Sequence, residues 1–160
     1  MFREPARQRM STELNAQRAD QALRVVGLAI WRQLYAMVWL AFLQIIIAVA
    51  NIPSSNVFLV YGHVILGLVI LGLAHYNNAQ FKKTEAPNRL KRIVKSTAIL
   101  ATIQVLLGIP ILVNIMRIFG IPMVWIISLL HLVIALAIIT QASSAATAYD
   151  MWEEKEYTKS

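Results

Sequence analysis

The sequence alternates between long apolar stretches and short polar or charged segments. The apolar stretches run from residue 33 to 52, 57 to 76, 93 to 113 and 122 to 142. A helix of about 20 apolar residues crosses the hydrocarbon core of a bilayer, which is about 30 Å thick. At that depth each backbone polar group must be hydrogen-bonded within its own segment, and four segments cannot close a transmembrane barrel. The pattern therefore predicts an all-α membrane protein whose fold is a four-transmembrane-helix bundle.

The amino-acid composition agrees with a protein that faces lipid. Hydrophobic residues make up 58% of the 160 residues and charged residues only 14%, whereas soluble domains average about 25% charged residues. A soluble core of this size could not bury so much apolar surface. The chain has no cysteine, which excludes disulfide bonds, iron–sulfur clusters, thiolate zinc sites and covalently attached c-type haem.

The positive charges lie in blocks between the apolar stretches. Residues 1–32 contain six lysines and arginines and residues 77–95 another six, whereas residues 51–56 contain none and the last connection contains only Arg117. Such blocks are typical of a membrane protein, so we expect no nucleic-acid partner despite the net charge of +7. Because cationic loops remain in the cytoplasm, both termini and the middle connection are predicted to be cytoplasmic. The expected location is the cell membrane, crossed several times.

The same pattern divides the chain into three parts. Residues 1–32 form a cytoplasmic or interfacial N-terminal arm, residues 33–146 the transmembrane domain, and residues 147–160 an acidic cytoplasmic tail. Within the arm, residues 11–31 carry apolar side chains on one stripe and arginines elsewhere. This arrangement is typical of an amphipathic helix on the membrane surface, and docking on a partner subunit is the alternative.

A polar pattern repeats in the two predicted helical hairpins. Each hairpin has a glutamine in its first helix and a histidine in its second, and each of these is followed four positions later by a small residue. The repeated set includes Gln44, His63, Gly67, Gln104, His131 and Ala135. At 1.5 Å per residue, His63 lies about 9 Å and His131 about 14 Å below the outer surface, and the glutamines lie about 12 and 14 Å deep. The sequence therefore predicts two pseudo-repeated hairpins with four polar side chains in one layer.

Two histidines at a shared depth on alternate helices predict a haem site. Ionisable residues inside a membrane usually face the bundle interior and mark function. Each neutral imidazole offers one lone pair, so His63 and His131 are candidate axial ligands on opposite sides of one haem iron, most simply a b-type haem. Gly67 and Ala135, one turn below them, would leave room for a porphyrin. Zinc or non-haem iron is disfavoured because the spans hold no carboxylate or thiolate.

Each of these residues also has a simpler interpretation. A single histidine in a membrane helix is more often a hydrogen-bonded packing residue, and Gln44 and Gln104 around the haem are expected to form interhelical hydrogen bonds. Arg117 would either bind a haem propionate or extend to lipid headgroups. His75 lies at the inner interface, and its counterpart in the second hairpin is Ser143, so we expect only one haem per chain.

The two hairpins resemble a known family. The runs Gln104-Val-Leu-Leu-Gly-Ile and Leu130-His131-Leu-Val-Ile-Ala-Leu resemble the haem-binding hairpin of haem A synthase, and Gln44 with Gly62-His63 resembles a weaker copy. Members of that family usually contain two four-helix halves, each with a histidine pair for one haem. Residues 33–146 would correspond to one half, as in half-length members.

Two departures from the family decide which half this chain resembles. The catalytic half of the family has a glutamate one turn before the first histidine of the pair, and an outer loop carries two cysteines. Here residues 57–76 contain no acid, and the chain has no cysteine. The resemblance therefore implies the half that holds haem and not the half that reacts.

Three functions remain open from the sequence. The first is a membrane b-type cytochrome that transfers electrons or serves as a haem-bearing subunit of a respiratory complex. The second is a half-length haem A synthase that oxidises haem O, with a homodimer as the active form. The third is a structural subunit without a cofactor. The expected partners are the lipid bilayer and either a second copy or a larger respiratory assembly.

Overall fold

The computed structural model describes residues 6–54, 56–112 and 121–157. These residues form four α-helices and short connections. The helices are α1 (Ala6–Ser54), α2 (Val57–Phe81), α3 (Asn88–Leu112) and α4 (Ile121–Tyr157). The predicted all-α fold is confirmed.

All four helices are long and apolar enough to cross a membrane. Their candidate spans are Ala29–Ala50, Val57–Phe81, Asn88–Ile111 and Trp125–Lys155. Large apolar side chains such as Trp39, Phe58 and Trp125 point outwards, and Phe58 is 80% exposed. Side chains of this kind would be unfavourable in water, so the surface is suited to lipid. The prediction of a multi-pass membrane protein with four spans is confirmed.

The helices extend beyond the predicted spans. α1 runs without interruption through residue 32, and α4 continues through most of the acidic tail to Tyr157. Only α2 begins where the apolar stretch begins, because Asn56 accepts a hydrogen bond from the backbone N–H of Phe58 at 2.9 Å and caps the helix. Hydropathy identifies the segment of a helix that suits lipid. The ends of the helix depend on capping and backbone geometry, so they need not coincide with the ends of the apolar stretch.

The helices form a ring in which each packs against two others. α1 packs on α2, α2 on α3, α3 on α4, and α4 back on α1. Consecutive helices are therefore neighbours, and α2 and α4 lie diagonally across the bundle. This arrangement is expected for helices joined by short connections.

Most of the core lies at one end of the bundle, which we call the basic end because it contains the connection between α2 and α3, residues 82–87. There Phe81 packs edge-on against Tyr149, with ring centroids 5.6 Å apart. Leu34 from α1 and Leu90 from α3 belong to the same buried cluster. Side chains from all four helices thus close this end.

Next to this cluster lies a layer of small side chains, which we call the alanine layer. It contains Ala41, Ala74, Ala98, Ala101 and Ala142, together with Met37, Ile70 and Ile138. Ala142 is completely buried. Small residues let helix backbones approach closely, which is the main source of packing energy between helices in lipid.

A polar contact joins α3 to α4 beside this layer. The hydroxyl groups of Ser96 and Thr97 both donate hydrogen bonds to the side-chain oxygen of Gln141. Thr97 is fully buried, and its hydroxyl is also within hydrogen-bond distance of the carbonyl of Ile93, at 2.9 Å. The contact satisfies polar groups that would be costly to leave unpaired in a membrane.

The other half of the bundle is packed differently. No residue described within 42–69 or 102–137 is buried as a whole, whereas every helix contributes buried residues closer to the basic end. We call this half the histidine end because both predicted ligands lie in it.

Candidate functional site

The structure brings His63 and His131 together at the histidine end. His63 lies on α2 and His131 on α4, the two helices that face each other diagonally. The centroids of the two imidazole rings are 6.3 Å apart and their planes are inclined by 41°. The two rings therefore meet in the interior of the bundle, although their helices pack against other neighbours.

Gln44 of α1 holds His63 in place through two contacts. Its side-chain amide donates a hydrogen bond to the backbone oxygen of His63 at 2.7 Å. The Nδ1 atom of His63 lies 3.2 Å from the backbone oxygen of Gln44. Because a carbonyl oxygen can only accept, this bond requires hydrogen on Nδ1. In the neutral ring, Nε2 then carries the lone pair that can bind a metal.

His131 has fewer contacts of its own. Its ring interacts with the backbone of Gln104 in the preceding helix, but its Nδ1 atom is buried and has no hydrogen-bond partner among the described residues. A Cβ atom added at Gly108 would lie 3.4 Å from Cε1 of His131. Gly108 therefore allows α3 to pass close to the imidazole.

Two buried oxygen atoms near the histidines also lack hydrogen bonds. They are the side-chain oxygens of Gln44 and Gln104, which have no partner among the described residues. A buried polar atom without a partner costs about 1–3 kcal/mol, and water is scarce in the bilayer core. Such atoms are expected where a polar ligand or an ordered water completes the site.

Gly67 lies beside the side chain of Gln44. A Cβ atom at Gly67 would lie 3.1 Å from the side-chain nitrogen of Gln44. The missing side chain thus makes room for the Gln44 amide, which binds the backbone of His63. Ala135, the equivalent residue on α4, is half-buried.

We expect Gly67→Leu to destabilise the protein by about 1–3 kcal/mol, which is typical of overpacking. The added side chain would displace Gln44 from its hydrogen bond to His63. Gly72→Leu is the matched control on the same helix, because a Cβ atom at Gly72 would meet nothing within 4 Å. Thermal denaturation of the purified variants in detergent measures both effects. Equal transition temperatures for the two variants would contradict this role of Gly67.

The remaining sequence candidates lie elsewhere. Arg117 is outside the described residues. His75 is exposed on α2, and its Nε2 atom lies 2.9 Å from the hydroxyl oxygen of Thr102 on α3. The hydroxyl oxygen also lies 3.0 Å from the carbonyl oxygen of Ala98. His75 therefore belongs to a separate contact between α2 and α3.

The geometry of the histidine pair fits a haem iron. An imidazole nitrogen binds a transition metal at about 2 Å, and ring bonds of about 1.33 Å place that nitrogen about 1.1 Å from the ring centroid. Two imidazoles on opposite sides of one iron should therefore have centroids about 6 Å apart, close to the 6.3 Å found here. The described residues contain no cluster of three or more histidine, cysteine, aspartate or glutamate side chains for a metal ion, and a haem iron needs only these two ligands.

Sequence reasoning identified the histidines and glutamines and expected interhelical hydrogen bonds from the glutamines, as Gln44 forms, but did not identify His63 as the partner. It also missed Gly108 as a close neighbour of His131 and the contact of His75 with Thr102. For Gly108, the only available signal was its position four residues after Gln104.

Comparison of the chain with models of known protein families, with curated proteins and with solved structures finds no match.

Proposed function

We propose that this chain is a membrane-integral haem protein like a b-type cytochrome, which transfers electrons or serves as a haem-bearing subunit of a respiratory complex. The observation that carries this proposal is the separation of 6.3 Å between the rings of His63 and His131. The two rings come from diagonal helices and meet in the half of the bundle where no described residue is buried as a whole.

The residues around the histidines support the proposed role. The backbone oxygen of Gln44 orients the ring of His63, and such a partner fixes the tautomer and increases the basicity of a ligand. When bound, the haem supplies a one-electron iron couple. His63 and His131 would fill both axial positions, which suits electron transfer and leaves no open position for oxygen.

The proposal includes an orientation in the membrane. Lys82, Lys83, Arg92 and Lys95 are exposed at the basic end, and positively charged connections favour the cytoplasmic side. The basic end and both termini would then be cytoplasmic, and the histidine end would face the opposite side. The matched positions of glutamine, histidine and small residues in the two hairpins support two pseudo-repeats.

The visible spectrum of the purified protein tests the proposal. We expect a reduced-minus-oxidised difference spectrum of low-spin b-type haem, with one haem per chain in the pyridine haemochrome assay. The protein should be produced in cells with ample haem, and haemin should be added to a second sample. If neither sample binds haem, the histidines are packing residues and the structural-subunit hypothesis is favoured.

We also expect that the chain does not convert haem O to haem A. Oxidation of the methyl group requires a proton acceptor within about 3 Å or through one water. Glu85 is the only acid between Asp20 and Asp150, and it is exposed in the connection at the basic end. Gln44 and Gln104 cannot accept a proton because amides do not titrate in this range.

Expression in a host that lacks its own haem A synthase but makes haem O measures this activity. Extracted haems are separated by chromatography, and an authentic haem A synthase serves as the positive control. Haem A or its hydroxylated intermediate above background would support the synthase hypothesis over the cytochrome. In that case a second copy or a partner subunit would have to supply the acid.

A further inference from the structure

A second candidate site lies at the basic end, far from the histidines. A cavity of about 280 Å³ opens between the end of α2 and the beginning of α3. Four basic side chains and two amides contribute to its lining, namely Lys82, Lys91, Arg92, Lys95, Asn78 and Asn88. The buried Phe81 lies beside it. None of these residues is used in the proposed haem site.

The charges in this cavity are not neutralised by the chain. Within the described residues, Lys82, Arg92 and Lys95 form no ion pair, and no acid lines the cavity: neither Glu85 of the connection nor the acids at the end of α4 are among its lining residues. Four cations in one cavity repel each other unless an anion lies between them. Arginine, lysine and amide N–H groups are the donors that bind phosphate oxygens.

The connection between α2 and α3 is held in a fixed shape around the cavity. The ammonium group of Lys91 donates a hydrogen bond to the carbonyl of Thr84 at 2.6 Å. The hydroxyl of Thr84 donates to the carbonyl of Phe81 at 3.0 Å. Ala86 and Leu90 are buried in the core beside it. The backbone that carries Lys82 and Lys91 is thus fixed before a ligand binds, which reduces the entropy cost of binding.

The position of the cavity identifies the source of the anion. The span on α2 ends at Phe81 and the span on α3 begins at Asn88, so the cavity lies at the level of the lipid headgroups. Basic pockets between transmembrane helices at this level bind anionic lipids. We propose that this cavity binds the phosphate of an anionic phospholipid.

A charge-matched pair of variants tests the proposal. R92Q/K95Q removes two cations that line the cavity, whereas K83Q/R89Q removes two exposed cations from the same region that do not line it. Each pair removes two positive charges from the same region, so the two variants have the same net charge and keep the same number of positive residues that favour the cytoplasmic side. Binding of phosphatidylglycerol to the detergent-purified protein is measured by native mass spectrometry, with phosphatidylcholine as the neutral probe.

We expect phosphatidylglycerol to bind at least about tenfold more weakly to R92Q/K95Q, because the variant loses two charged donors to the phosphate. K83Q/R89Q should differ from the wild type by less than threefold. Equal losses in the two pairs would show a diffuse surface potential and overturn the proposal. Binding of inorganic phosphate with an affinity equal to that of phosphatidylglycerol would overturn the lipid assignment. Thermal denaturation of R92Q/K95Q checks that it is folded.

Discussion

Replacement of either His63 or His131 by alanine should abolish the low-spin haem spectrum. The two rings face each other at 6.3 Å, and no other histidine is near enough to substitute, because His75 is twelve residues further along α2. Loss of a residue that merely orients a metal ligand weakens metal binding about 10–100-fold, so loss of a ligand should cost more. The measurement is haem content per chain together with the reduced-minus-oxidised spectrum.

Two controls distinguish loss of a ligand from loss of the fold. His75→Ala should retain full haem content, because His75 contacts Thr102 on α3 and not the histidine pair. His63→Gly should regain a low-spin spectrum when imidazole is added, since the free ligand can occupy the vacated volume. Full haem content and an unchanged spectrum in both single alanine variants would contradict the assignment of the two ligands.

A large loss of stability is expected from Ala74→Leu in the alanine layer. Ala74 is 1% exposed and packs with alanines of the other helices. The layer has no space for three more carbon atoms, so the helices would have to separate or the side chain would adopt a strained rotamer. Overpacking of this kind costs about 1–3 kcal/mol, and the loss of helix contacts in lipid adds to it because packing is the main force between these helices.

Ala79→Leu provides the comparison on the same helix. Ala79 is exposed on α2, so the same enlargement there should leave stability nearly unchanged. Thermal denaturation in detergent, followed by circular dichroism, measures both variants, and retention of bound haem gives a second readout. If Ala74→Leu melts at the wild-type temperature, the close packing of the alanine layer is not a main source of stability.

The four spans were predictable because hydropathy depends on composition, which can be read directly from the chain. The histidine pair was predictable for a related reason. The rise per residue sets the depth of a side chain, so counting from the ends of the apolar stretches placed His63 and His131 in one layer. Polar residues are rare in these spans, which made the matched glutamines stand out as well.

Other features depend on packing between helices and could not be derived from one sequence. The role of Gly67 follows from the position of Gln44 on another helix, and no pattern within α2 reveals it. The alanine layer could not be predicted for the same reason. Ala74 lies among apolar residues in the sequence, and only the packing of the other helices shows that it is buried. The basic cavity needs the fold of the connection around Thr84, which brings Lys82 close to Lys95.

The position of His63 close to one end of α2 has a consequence for how electron transfer at the histidine pair would depend on membrane voltage. Moving one electron across a membrane potential of 100 mV changes its energy by about 2.3 kcal/mol. From His63, the end of α2 at Phe81 is about 27 Å away, whereas its beginning at Val57 is only about 9 Å away. The path through the histidine end is therefore the shorter one. A redox group between the histidines would exchange electrons there, across a small part of the field, and its reaction rate would respond weakly to voltage.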